Sequence, residues 1–166
     1  MREEEIAEQV RVLAQGDLAA RRNAVKTLAA AGGTAVPALV RFMAETDNDD
    51  ARWYAAVALA RIGPPGIDPL IEAIGKNSDV RFRRYAAAAL GHIGGPAVRP
   101  LIAALSTKDP SARGFFAQAL CRVGKAAVPA LRAALGSADP DMRQYAAMIL
   151  WQMGEEGIDA LMSGPG

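Results

Sequence analysis

The segment RRYAAAALGHIGGPAVRPLIAAL, Arg83 to Leu105, contains one histidine and no acid, cysteine or serine. Alanine, leucine, glycine and arginine supply most of it. Such a composition favours helices that approach one another closely, because small side chains keep the backbones near. A helical reading needs a start, a stop and an apolar face, and all three are present. Asp79 precedes the segment as a helix N-cap, and Gly94 interrupts it as a helix stop. Val98, Leu101, Ile102 and Leu105 then give the i, i+3, i+4, i+7 spacing of a second amphipathic helix.

The same order returns along the chain. Glycines at Gly32, Gly63, Gly94, Gly124 and Gly154 are spaced 31, 31, 30 and 30 residues apart. An arginine stands eleven residues before each: Arg21, Arg52, Arg83, Arg113 and Arg143. Four residues before each arginine stands Asp17, Asn48, Asp79, Asp109 or Asp139. Leu28, Leu59, Leu90, Leu120 and Leu150 fill one apolar column. Val36, Ile67, Val98, Val128 and Ile158 fill a second, and Leu39, Leu70, Leu101, Leu131 and Leu161 a third. A two-helix unit cannot bury its apolar face alone, so successive units must stack. The expected architecture is all-α: a right-handed α-solenoid of five two-helix repeats, at about 17–46, 48–77, 79–108, 109–138 and 139–163. Ile6, Val10 and Leu13 lie 30 residues before Val36, Val40 and Met43, so residues 3–15 read as an N-terminal half-repeat. Glu4, Glu5 and Glu8 would cover that end with polar groups. The chain 1–166 reads as one domain.

The segments DVRFRRYAAAALGHIGGPAVRPLIAAL, ARWYAAVALARIGPPGIDPLIEAI and MRQYAAMILWQMGEEGIDALM resemble the HEAT-like repeat of the phycobilisome-lyase type. The resemblance covers nearly the whole chain. It implies the stacked helical fold. It implies no single activity, because the family includes scaffolds, bilin lyases and an iron-dependent hydroxylase, and HEAT-like folds also include DNA glycosylases.

Composition narrows the function. Lys+Arg is 19 and Asp+Glu is 18, a net charge of +1, which argues against nucleic acid and acidic membranes as partners. One cysteine, Cys121, permits no internal disulfide and fits a reducing, cytoplasmic setting. The opening MREEEIAEQV has the charge and polarity of neither a signal peptide nor a membrane span.

Groups that do chemistry are sparse. His92 is the sole histidine, in a solvent-facing column with Ala30, Arg61, Arg122 and Gln152. The His-Glu pairs of the HEAT-like hydroxylases are missing, so no metal is expected and no cofactor is assigned. Cys121 falls in a small-residue column with Ala29, Ala60, Gly91 and Trp151, where a packed, inert thiol is expected. Asp49-Asp50 and Glu155-Glu156 lie at helix starts and complement the helix dipole rather than form an acid/base pair. The arginine column reads as a structural ladder. Each arginine is placed to pair with the cap four residues earlier, and the next repeat offers another cap. The remaining arginines form no evident second stripe.

The expected function is a non-catalytic protein-binding scaffold or adaptor. The second helices are expected to line the concave, binding face, with Arg41, Phe42, Glu45, Glu72, Ala73, Lys76 and Ala104 presented from them. Trp53 is an expected exposed contact residue. The C-terminal repeat departs from the pattern: Met148 and Trp151 make its outer face apolar, fit for a partner or a second copy, unless the tail folds over it. Phe116 replaces an alanine and calls for a wider gap between helices. Two alternatives stand beside the scaffold reading: a bilin lyase subunit or chromophore chaperone, and a nucleic-acid module using the arginine ridge.

Overall fold

The computed structural model describes every residue, Met1 to Gly166, as eleven α-helices with no strand. They are α1 (Glu3–Gln15), α2 (Leu18–Ala31), α3 (Val36–Glu45), α4 (Asp49–Ile62), α5 (Ile67–Lys76), α6 (Val80–Ile93), α7 (Val98–Ala104), α8 (Pro110–Val123), α9 (Val128–Ala134), α10 (Pro140–Gln152) and α11 (Glu155–Ser163). The first helices of the repeats, α2, α4, α6, α8 and α10, pack side by side in one layer. The second helices, with α1 at their head, form the other layer, and each packs on the first helix of the following repeat. The result is an α-solenoid.

Each expected cap is made. Asp17, Asn48, Asp79, Asp109 and Asp139 each accept a backbone N–H from the first turn of the helix they precede. Pro110 and Pro140 occupy the first helical positions, where no N–H is needed. At the other end of the first helices, all five repeat glycines have positive φ, from 62° to 81°. That backbone conformation is disfavoured for any residue with a Cβ, so this column holds glycine throughout. In the first four repeats it leads into a short 3₁₀ turn that delivers the chain to the second helix.

This turn also explains a compositional oddity. The span Leu18–Glu45 is apolar enough over an 18-residue window to match a membrane helix by composition. It is instead α2 and α3, broken at Gly32, and both belong to the stack.

The leucine columns form the core between the layers. Leu28, Leu59, Leu90, Leu120 and Leu150 are fully buried, as are Leu39, Leu70, Leu101 and Leu131. Burial of each side chain contributes about 1.5–3 kcal/mol. Along the first-helix layer, alanine allows close approach. The tightest point is Gly91 on α6: a Cβ there would lie 2.5 Å from the Cβ of Arg122 on α8. The α8–α10 contact is looser than α6–α8, and the ring of Phe116, 2% exposed, fills core volume that alanine occupies in the other repeats.

Glycine in a helix interior is normally replaced by alanine with a gain of up to about 1 kcal/mol. Gly114 on α8 faces open space, so Gly114→Ala should stabilise the fold by that amount. Gly91→Ala should reverse the sign and cost about 1–3 kcal/mol, because α6 and α8 must separate. Urea unfolding of the two variants measures both effects.

Candidate functional site: a cationic hollow on the first-helix layer

The arginine ladder is present, with different partners from those the spacing suggests. None of the five guanidiniums bonds the cap four residues before it, and only the arginine backbone N–H donates to that residue's carbonyl. Each guanidinium reaches back to carbonyls at the end of the preceding second-layer helix. Arg52 Nε donates to the Met43 carbonyl at 2.9 Å, and its Nη2 donates to the Thr46 carbonyl. Arg83 Nε donates to the carbonyls of Ile74 at 3.0 Å and Asn77 at 2.7 Å. Arg113 donates to Leu105 and Thr107, Arg21 to Ala14, and Arg143 to Ser137 and Ala138. These are orphan carbonyls at helix C-termini, which a cation is suited to satisfy.

Two arginines also reach forward. Arg52 Nη2 donates to Asp79 Oδ2 at 3.3 Å, and Arg83 Nη2 to Asp109 Oδ2 at 2.6 Å. At Asp79 and Asp109 the cap carboxylate is divided between two tasks. Its Oδ1 accepts the helix N–H, and its Oδ2 faces the previous repeat. At two of the three arginines that meet no carboxylate, an aromatic ring takes its place. Arg21 lies 5.5 Å from the Tyr54 ring centroid, and Arg113 lies 4.4 Å from that of Tyr145. Arg52 and Arg83 are buried, so these contacts hold the stack and offer nothing to a ligand.

The other arginines come together. On the first-helix layer, Arg61 of α4, Arg84 of α6 and Arg122 of α8 line one hollow of about 590 Å³, with His92 at its edge. Its floor is Ala56, Val57, Ala60, Ala88 and Ala89, and Trp53 and Tyr85 flank it. A neighbouring hollow of about 240 Å³ between α2 and α4 shares Trp53, Val57 and Arg61, and adds Arg22 and Lys26. Trp53 stands between the two, half exposed, with Tyr54 edge-on at 4.8 Å. A third hollow, about 390 Å³, opens where α8 and α10 separate, beside Arg113, Tyr145 and Met148.

The linear sequence hides this stripe. Arg61, His92 and Arg122 share a repeat column, but Arg84 comes from the column of Arg22 and Trp53. The two columns lie on facing sides of adjacent helices, so only the packing of α4, α6 and α8 unites them. The charge is also segregated. Helices α2, α6 and α8 contain no acid, and α4 has acids only at Asp49 and Asp50 in its first turn. A net charge of +1 therefore averages a cationic layer against acids in α1, α5, α11 and the caps.

The second-layer positions are arranged differently. Arg41, Glu45, Glu72 and Lys76 are exposed, and Phe42, Ala73 and Ala104 are partly buried. None of them lines any of these hollows. Glu72 and Lys76 pair with each other, and that contact lowers the Glu72 pKa.

At the C-terminal end Trp151 is 67% exposed and Met148 52%. Trp151 occupies the column in which Gly91 admits the next helix, and its indole stands exposed on this face. The tail leaves this face open: Arg132 Nε donates to the Gly164 carbonyl at 2.8 Å, which directs the tail toward α9.

Cys121 is partly buried, and burial pushes its thiol pKa up, which reduces the thiolate available for nucleophilic attack. His92 is exposed. No three His, Cys, Asp or Glu side chains are gathered as metal ligands.

These features are those of a helical repeat protein, and the model of the HEAT repeats family matches residues 43–105 and 98–164. The chain belongs to that family. Among solved structures, it is similar to the complex of CpcE and CpcF of phycocyanin lyase from Nostoc sp. PCC7120, with 23% identity, 89% of this chain and 99% of that chain covered, and a TM-score of 0.46. It is also similar to an engineered protein, with 22% identity, 98% and 85% coverage, and a TM-score of 0.37. Computationally designed armadillo repeat proteins for modular peptide recognition match with 15% identity, 95% and 91% coverage, and a TM-score of 0.33. No curated protein matches the sequence.

Two predictions test the ladder. Arg83→Met keeps the buried stem but orphans the Ile74 and Asn77 carbonyls, and should cost on the order of 3 kcal/mol in urea unfolding. Arg143→Met, at an exposed site, should stay within about 0.5 kcal/mol. The second concerns acid. The Arg83 hydrogen bond, followed by the backbone N–H of Ala112, holds the Asp109 pKa below its ordinary value. A depressed carboxylate pKa contributes stability above the unfolded-state value, and that contribution disappears as pH falls through the folded-state value. Asp109→Asn should therefore be less stable than the native chain at neutral pH. The gap should narrow through the acidic range below the ordinary aspartate pKa, as followed by unfolding at a series of pH values.

Proposed function

We propose that this protein is a non-catalytic scaffold or adaptor that docks a partner protein on its first-helix layer. The observation that carries this reading is the hollow of about 590 Å³ across α4, α6 and α8, with an alanine floor beside the half-exposed Trp53. An alanine floor admits a partner backbone closely, and an amphipathic ring at the rim is a typical contact anchor. The lining supplies no nucleophile with an adjacent base, and the one thiol lies outside it. Membership of the HEAT repeats family fits an interaction module. The second-layer positions around Phe42 and Ala104 form a competing surface, and the apolar end at Met148 and Trp151 is a separate contact site for a partner or a second copy.

Capture from lysate of the source organism separates these surfaces when the same bait carries single changes. Val57→Glu should abolish capture of a stoichiometric protein that the native bait retains. Phe42→Ala and Ala104→Glu should leave it unchanged. Trp151→Glu should leave it unchanged too, while abolishing any self-association measured by sedimentation. Loss of the partner only with the Phe42 and Ala104 variants would move the docking surface to the second layer.

A further inference from the structure

We infer that the partner segment seated in this hollow is an acidic amphipathic helix. Its carboxylates meet Arg61, Arg84 and Arg122, and an apolar side chain between them enters the alanine floor. This deepens the docking reading above and rests on it.

The cations are the first ground. Arg61, Arg84 and Arg122 are exposed and form no ion pair, whereas Arg52, Arg81 and Arg83 are each bridged to a carboxylate. No carboxylate lines the hollow. Three unpaired guanidiniums around an apolar floor have no partner within the chain. An anionic ligand supplies one, and planar guanidinium suits bidentate carboxylate binding.

Spacing is the second ground. Arg61 and Arg122 share one repeat column near the ends of α4 and α8, and Arg84 stands eight residues before that column on α6, about 12 Å away along the helix axis at 1.5 Å per residue. Carboxylates at i and i+7 of a helix are separated by about 10 Å, at 1.5 Å per residue. Residues i+3 and i+4 of that helix fall between them on the same face. An acidic helix laid along the groove between α4 and α6 thus presents one carboxylate to Arg84, another to Arg61 and Arg122 at the far end, and an apolar side chain to Ala56, Ala60 and Ala88 between them.

Phosphates fit less well. A nucleic-acid strand carries one charge per about 3.4 Å and calls for a continuous cationic track. The floor here is apolar; the cations run on toward α2 through Arg22 and Lys26, but past Arg122 the third hollow adds only Arg113, whose guanidinium is engaged by the Leu105 and Thr107 carbonyls and the Tyr145 ring.

The test is selection from a random phage-displayed peptide library at physiological salt, on the native chain and on the triple variant Arg61→Gln, Arg84→Gln, Arg122→Gln. All three sites are exposed, so the fold should persist, as checked by circular dichroism. Peptides selected by the native chain should be enriched in Asp and Glu seven residues apart around an apolar residue. The best of them should bind the triple variant about tenfold more weakly. Absence of acid enrichment, or equal enrichment on the variant, would overturn the inference while leaving docking on this layer intact. Selection of no peptide that Val57→Glu disrupts would overturn the docking reading as well. A mixed-sequence single-stranded oligonucleotide that binds more tightly than the best peptide, and is lost with the variant, would assign the arginines to phosphates and overturn the inference.

Discussion

The stack depends on one residue doing three things. In each repeat an arginine stem crosses from the first-helix layer toward the second, and its guanidinium collects carbonyls left unpaired where the preceding helix ends. In the middle repeats it also takes the free oxygen of the next cap. Apolar packing between alanine-rich helices is close but has little shape to set a register. The arginine contacts are directional and tie three consecutive elements at one point. Leucine columns supply the burial energy, and the ladder decides how one repeat sits on the next.

That division leaves the outer surface of the first-helix layer free to vary. The ladder arginines face inward at the start of each first helix. Arg84 follows directly on the ladder Arg83, and Arg61 and Arg122 come nine residues after theirs, all three exposed. On that outer surface α4, α6 and α8 place arginines without partners around an alanine floor. The two kinds of arginine differ in environment: the inner ones meet a fixed set of acceptors, and the outer ones meet water. A ligand can compete with water, but not with a buried helix terminus.

The two ends of the solenoid differ for the same reason. At the N-terminus α1 supplies second-layer packing and turns glutamates outward, with Glu5 bonded back to the Arg2 backbone N–H at 3.0 Å. At the C-terminus the column that should receive another helix holds Trp151, and burial weakens accordingly. Val128, Ile158 and Leu161 are only partly buried, where their counterparts in the central repeats are buried. An apolar face formed by Met148 and Trp151 stays exposed there.

The repeat period, the caps, the glycine stops and the apolar columns were legible in the sequence, because each is a local requirement. A positive φ needs glycine, a bare helix start needs an acceptor, and a helix face repeats every 3.6 residues. The partners of the ladder were only half legible: their columns were visible, but not that one carboxylate would divide its oxygens between two repeats. The cationic hollow was not legible. Its arginines belong to two columns on three helices, separated by 23 to 61 residues, and its emptiness depends on how closely alanine lets those helices approach. A balanced composition concealed the charge, since a sum over residues carries no position. Sequence alone determined what the units are and how each begins and ends; only the tertiary packing decided which arginines are consumed in holding the stack and which are left to meet a partner.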